Sequence, residues 1–280
     1  MFKSAGDIFK IFWKEVDFNE VFDGAASLSY YFIFSIFPIL LIFISLISYL
    51  PSEISDSNYT QIILSSFPES FSKLLTNIIN NVNGRGSLNI LSIGFLIAFW
   101  SGSSGFAAII RQLNKSYEVE ETRGFFKFRL RCLFLLLFQI LIFLLPVIVY
   151  VLAKSFFEFL PRDIASVFII FFKWPFLKFF ILELIFLLVF ASIYYFGPDV
   201  KQKFKFITPG SMFGSLLLII VALLFEIYIK NYNSYDKSYG ALGTGIILLL
   251  WLYLMGLFLI LGASINQAIR KVSESSLVED

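Results

Sequence analysis

Six stretches of this 280-residue chain are apolar for long enough to cross a lipid bilayer, near residues 25–50, 88–110, 132–153, 176–197, 208–230 and 242–266. A spanning helix needs roughly 20 mostly apolar residues to cover about 30 Å of hydrocarbon. Hydrocarbon offers no water to a stray backbone N–H or C=O, so each stretch must be helical. The expected fold is all-α: a polytopic membrane protein whose six transmembrane helices fill a membrane domain over 25–267. An amphipathic segment, 1–24, precedes it and a short tail, 268–280, follows.

Composition agrees. The hydrophobic fraction is 58%, well above the roughly 45–50% of soluble domains, and Phe alone supplies 37 residues. No connecting segment is long enough for a soluble domain. The first 24 residues mix acids with bases (Lys3, Asp7, Lys10, Lys14, Glu15, Asp17, Asp23), unlike a cleavable signal peptide. The single cysteine, Cys132, excludes an internal disulfide and any multi-thiolate metal site. The absence of histidine removes the usual general base and the usual zinc ligand, so neither metal nor cofactor is expected.

Orientation follows from charge. Of the 22 Lys and Arg residues, 14 lie on alternate connections: the N-terminus, 111–131, 198–207 and the tail. The positive-inside rule puts these in the cytoplasm, and an even number of spans likewise places both termini there. On the outer side, Ile62, Ile63, Phe67, Phe71, Leu74, Leu75 and Ile78 recur at helical spacing within 57–83, which predicts an interfacial amphipathic helix divided at Pro68. The apolar stretch 164–175 reads as an interfacial lead-in to the fourth span or as a re-entrant piece.

Helical spacing also sorts the small and polar residues. Gly94, Ala98, Ser101, Gly105 and Ala108 make one stripe; Pro209, Gly210, Ser211, Gly214 and Ser215 open the fifth span; Gly243 and Gly262 lie within the sixth. Such stripes let helices approach closely. Pro38, Pro198 and Pro209 are candidate hinges. Polar side chains gather toward the cytoplasmic half: Ser27, Tyr30, Tyr31 and Ser35; Ser101, Ser104, Arg111 and Asn114; Tyr194 and Tyr195; and Asn266. If these faced one another they would line a polar vestibule open to the cytoplasm. The alternative is that the tyrosines form an interfacial belt and the serines bond their own backbones. Two acids lie within spans, Glu183 and Glu226, and are candidates for a proton or cation role.

The same positions carry a resemblance. Ala25-Ala26-Ser27-Leu28-Ser29-Tyr30-Tyr31, with Phe34-Ser35-Ile36-Phe37-Pro38, resembles the first-span signature of the YihY/BrkB family of bacterial inner-membrane proteins. Arg111-Gln112-Leu113-Asn114-Lys115-Ser116-Tyr117 is similar to the end of that family's second span. Tyr195-Phe196-Gly197-Pro198-Asp199-Val200-Lys201 and Pro209-Gly210-Ser211 resemble its inner loop and the start of its fifth span. Tyr239-Gly240-Ala241-Leu242-Gly243, Leu250-Trp251-Leu252-Tyr253 and Gly262-Ala263 match its last span. The resemblance implies six spans with both ends inside. Ser264 stands where the family usually carries a glutamate. Some members bear a ribonuclease or virulence-factor label, and others are linked to lipid export.

Hydrolysis of RNA by metal ions needs clustered ligands or paired carboxylates, and the acids here are scattered; no nucleic-acid partner is expected. No Walker segment for ATP is present. The expected function is a transporter or flippase for a lipid or amphiphile, with Arg111, Lys127, Arg129 and Arg131 facing anionic headgroups. The competing expectation is a non-catalytic scaffold for envelope assembly. A small-ion channel is a third possibility. The oligomeric state stays open.

Overall fold

The computed structural model describes residues 5–48, 88–158, 175–200, 203–231 and 234–278, all helix or short connection, with no strand among them. Seven helices follow in order: α1 (Ala5–Glu15), α2 (Phe18–Ser48), α3 (Leu88–Ser116), α4 (Phe125–Glu158), α5 (Pro175–Phe196), α6 (Phe204–Asn231) and α7 (Ser234–Val278). The proposed outer amphipathic helix, 57–83, lies outside the described residues, as does 164–174; Pro175 opens α5. Nothing is described for the side chains of Pro38, Gly94, Glu226 and Gly243 beyond their places in α2, α3, α6 and α7.

The helices run past the apolar stretches because local chemistry, rather than hydropathy, sets their ends. The amphipathic N-terminal segment is divided. Asp17 closes α1 and starts α2, its Oδ1 accepting the N–H of Asn19 at 2.9 Å and of Glu20 at 3.3 Å. At the end of α3, Val119 N bonds Asn114 O and Glu118 N bonds Lys115 O, both at 2.9 Å. That is a Schellman cap with Glu118, at φ 53°, in the left-handed position glycine usually takes. The helix of the sixth span continues without a break to Val278, past the end of the apolar run, so most of the tail is helix, and Ile269 and Val272 are buried.

Helices α2 and α3 pack together, α7 lies against α2 and α6, and α5 against α6; α4 bridges α3 and α5, and α1 covers one end of α7. The small residues sit at these crossings. A side chain on Gly105 would strike Ser35 of α2, one on Gly214 would strike Phe190 of α5, and Gly210 and Gly262 lie backbone against backbone between α6 and α7. Their lack of a Cβ lets the helices approach this closely.

Among the described residues, four helices are long and apolar enough to cross a membrane: Phe125–Leu145, Phe179–Phe196, Ile207–Leu224 and Gly245–Ser273. Only 33–39% of each window is buried inside the protein. Leu130, Phe180, Leu224 and Ile246 point outward. Water would penalise that surface by about 25 cal/mol per Å² of apolar area; lipid does not. The chain is a membrane protein.

Candidate functional site

The well-buried core includes Leu28, Ile110, Leu113, Tyr117, Tyr194 and Ile207, each at most 1% exposed, toward the end of the bundle that carries the basic connections. Two connections are clasped there. Asn114 donates to Glu121 Oε2 at 2.9 Å and accepts the N–H of Asp199 at 2.8 Å. Arg123 grips Glu121 through Nε and Nη2 at 2.5 and 2.6 Å, and Nη2 also reaches the Gly197 carbonyl at 3.0 Å. Thr122 donates its N–H and hydroxyl to Asp199 Oδ2 at 2.8 and 2.5 Å. The Glu121 hydrogen bonds, with the charges of Glu121 and Asp199, hold the Arg123 pKa above its ordinary value. The Thr122 hydrogen bonds and the Arg123 charge hold Asp199 below its own. Sequence reading made Asn114 a site candidate, quoted Asp199 only within the inner-loop motif, and gave Glu121, Thr122 and Arg123 no site role. The Gly-Pro-Asp turn at 197–199 was the available signal.

The proposed vestibule residues divide into three sets. Four are sealed inside. Ser35 donates to Tyr31 O, Tyr194 to Leu259 O at 2.8 Å, and Asn266 Oδ1 accepts the Gly210 N–H at 2.8 Å; Asn114 belongs to the clasp. Ser27, Tyr30 and Tyr195 face outward. The last set, Tyr31, Ser101, Ser104 and Arg111, belongs to one side of the bundle where α2, α3 and α4 meet. Buried Pro198 sits in the clasped turn, while Pro209 lies exposed inside α6. Glu183 of α5 accepts the Ser215 hydroxyl of α6 at 2.6 Å, a link between spans.

The third set is where charge and exposed aromatic surface coincide. Arg129, from α4, lies over the Trp100 ring at 4.4 Å and donates to the hydroxyls of Ser103 and Ser104 at 3.2 and 3.4 Å. Those hydroxyls spend their own protons on the Trp100 carbonyl, which leaves their lone pairs for Arg129. Arg111 lies over Tyr31 at 5.7 Å. Neither guanidinium has a carboxylate at ion-pair distance among the described residues. Beside them Trp100 is 56% exposed, Tyr30 60% and Phe34 56%. Both guanidinium groups are thus held in place by neighbouring rings, and that of Arg129 by two hydroxyls as well.

A cavity of about 110 Å³ opens elsewhere at the basic end, between α1, the start of α2, the end of α3 and α7. None of the eleven vestibule candidates lines it; Ser264 does. No group of three or more Cys, Asp or Glu suited to a metal occurs among the described residues.

Comparison with known proteins places the chain in a family. The family model described as Virulence factor BrkB matches residues 12–279. The chain is 32% identical over 251 residues to the ribonuclease-like protein YfkH of Bacillus subtilis, covering 88% of this chain and 89% of that one. It is 26% identical over 275 residues to a UPF0761 membrane protein of Aggregatibacter aphrophilus, covering 96% and 94%. A UPF0761 membrane protein of Vibrio parahaemolyticus is 26% identical over 266 residues, covering 93% and 81%. No solved structure matches it.

Proposed function

The chain belongs to the Virulence factor BrkB family, and from that premise we propose that it is a transporter or flippase of the bacterial inner membrane, recognising a lipid or amphiphile by its phosphate at the cytoplasmic face. The observation that carries this reading is the pair Arg111 and Arg129. A guanidinium offers five N–H donors, and the two bonds to Ser103 and Ser104 leave most of those of Arg129 for a ligand. An arginine at the edge of the hydrocarbon without an acidic partner is costly unless a headgroup supplies the charge.

The topology belongs to the same proposal. Helices α2 and α3, 31 and 29 residues long, supply the first two of six spans, and both termini lie in the cytoplasm. The ribonuclease-like name is that of the Bacillus relative. For this chain the lack of histidine and the scattered acids argue against hydrolysis assisted by metal ions.

The test is leaflet exchange of a fluorescent anionic phospholipid in proteoliposomes. Exchange by the wild type, reduced by Arg111→Ala and by Arg129→Ala, is expected. No exchange, or exchange indifferent to both changes, ends the proposal. One observation favours scaffolding instead: Tyr194, Asn266 and Asn114 turn their polar atoms onto the protein rather than toward a path. A scaffold would co-purify with envelope proteins and tolerate loss of Arg111.

A further inference from the structure

We infer that the cavity beneath α1 binds a primary ammonium group. This goes beyond the phosphate-recognising face, since the cavity opens between α1, α2, α3 and α7 and uses none of the same side chains.

The walls are rich in acceptors. Asp17, Glu20 and Glu118 surround the opening with Lys115 as the only cation among its lining residues. Lys115 is held by Glu20 at 3.1 Å, and Lys271 reaches Glu118 at 2.7 Å from outside. The three carboxylates therefore exceed their cations by one. Several donors along the lining are already committed. The hydroxyl of Ser116 bonds Gln112 O at 3.1 Å and that of Ser264 bonds Ile260 O at 3.0 Å. The amide nitrogen of Gln267 is fixed on Tyr117 O at 3.2 Å.

That last bond decides the orientation of Gln267. A carbonyl can only accept, so the NH₂ must face Tyr117 and the side-chain oxygen must face away. This oxygen has no partner, in a residue 9% exposed. An orphaned buried acceptor costs about 1–3 kcal/mol, and a ligand N–H would recover it. Gln112 adds a side-chain amide to the lining, and Phe12, Val16, Val21 and Ile260 give it an apolar stretch that suits the methylenes beside an amine. The space is several times what one water needs. A compact group with three N–H donors, one positive charge and a short carbon stem fits this lining; an anion or a quaternary ammonium does not.

Two sources supply such a group at this face: the ethanolamine headgroup of a phospholipid and a free cytosolic amine. Two variants remove charge while sparing the fold. Asp17→Asn keeps a good helix cap. Glu118→Gly places glycine at the left-handed cap position, where it is the preferred residue.

Native mass spectrometry of the full chain with phosphatidylethanolamine, phosphatidylcholine and phosphatidylglycerol, together with calorimetry using ethanolamine, tests the inference. Phosphatidylethanolamine retained over the other two, with each variant weakening it about ten-fold, the equivalent of one charged hydrogen bond, supports a lipid source. Ethanolamine binding with the same dependence on the variants, but no lipid preference, supports the same site with a free amine as ligand. Equal retention of phosphatidylcholine, unchanged binding in both variants, or binding of neither probe overturns it. Thermal melts showing both variants at least as stable as the wild type separate lost binding from lost folding.

Discussion

The side-chain oxygen of Asn266 accepts the backbone N–H of Gly210 at 2.8 Å, tying α7 to α6 where both residues are sealed inside the protein. Pro209 immediately precedes this N–H, and its ring disturbs the helical ladder. A side-chain amide from the neighbouring helix meets the backbone at that point. Replacing Asn266 by Ala strands the N–H, and a loss of about 1–3 kcal/mol is expected. A thermal melt in detergent checks it; an unchanged midpoint would show that another acceptor takes over.

The same crossing tolerates no Cβ. On Gly210 it would overlap the Gly262 carbonyl and the Asn266 side chain, all of them backbone or pinned atoms. Gly210→Ala is expected to lower stability by about 1–3 kcal/mol or more, as overpacking does. Gly245→Ala is the control. Nothing lies within 4 Å of that position, and alanine favours the helix by about 1 kcal/mol. Monodispersity and melting temperature of the two variants should move in opposite directions.

Acid should loosen the clasp between the two connections. The Asp199 pKa is depressed in the folded protein, chiefly by the Thr122 hydrogen bond. Its contribution is therefore present above the ordinary carboxylate pKa and fades as pH falls through the lower, folded value. Melting temperature measured from pH 7 downward should drop in that acid window for the wild type. Asp199→Ala should start lower and show a shallower drop. Parallel curves would refute the linkage.

The sole thiol, Cys132, is fully buried on α4 and is free. A maleimide should leave the folded protein unlabelled and react once it unfolds, because thiolate chemistry requires access. Rapid labelling without denaturant would contradict the packing of α4 against its neighbours.

Arg129→Lys should not rescue lipid recognition. The guanidinium carbon lies over the Trp100 ring at 4.4 Å while its Nη1 reaches two hydroxyls. A compact, strongly hydrated ammonium is a poor substitute for a guanidinium that lies over a ring and reaches hydroxyls together. In the leaflet-exchange assay the Lys variant should resemble Arg129→Ala; full activity would mean that charge alone suffices.

Several local features were legible in advance. Gly105, Gly210, Gly214 and Gly262 stood out by spacing, and each lies at a helix crossing. The membrane character followed from apolar length. The end of α3 was less legible, because the left-handed position there holds Glu118 rather than glycine and only the backbone hydrogen bonds reveal the cap. The two-part N-terminal segment was missed for a similar reason: Asp17 reads as one more charge in an amphipathic run until its oxygen is seen to accept two backbone N–H groups.

Sequence alone determined the all-helical membrane class, because apolar length and the backbone's need for hydrogen bonds act on each segment independently of the others. It also determined which small residues could allow close approach. Only the tertiary structure decided where the polar side chains go. Tyr194 turned inward to Leu259, Tyr195 outward, and Arg129 onto Trp100. Helical spacing gives each residue an angle on its own helix, whereas the partner at that angle depends on which helix lies alongside and at what height. The cavity beneath α1 is the clearest case: its walls come from segments more than 200 residues apart in sequence, from Asp17 to Gln267.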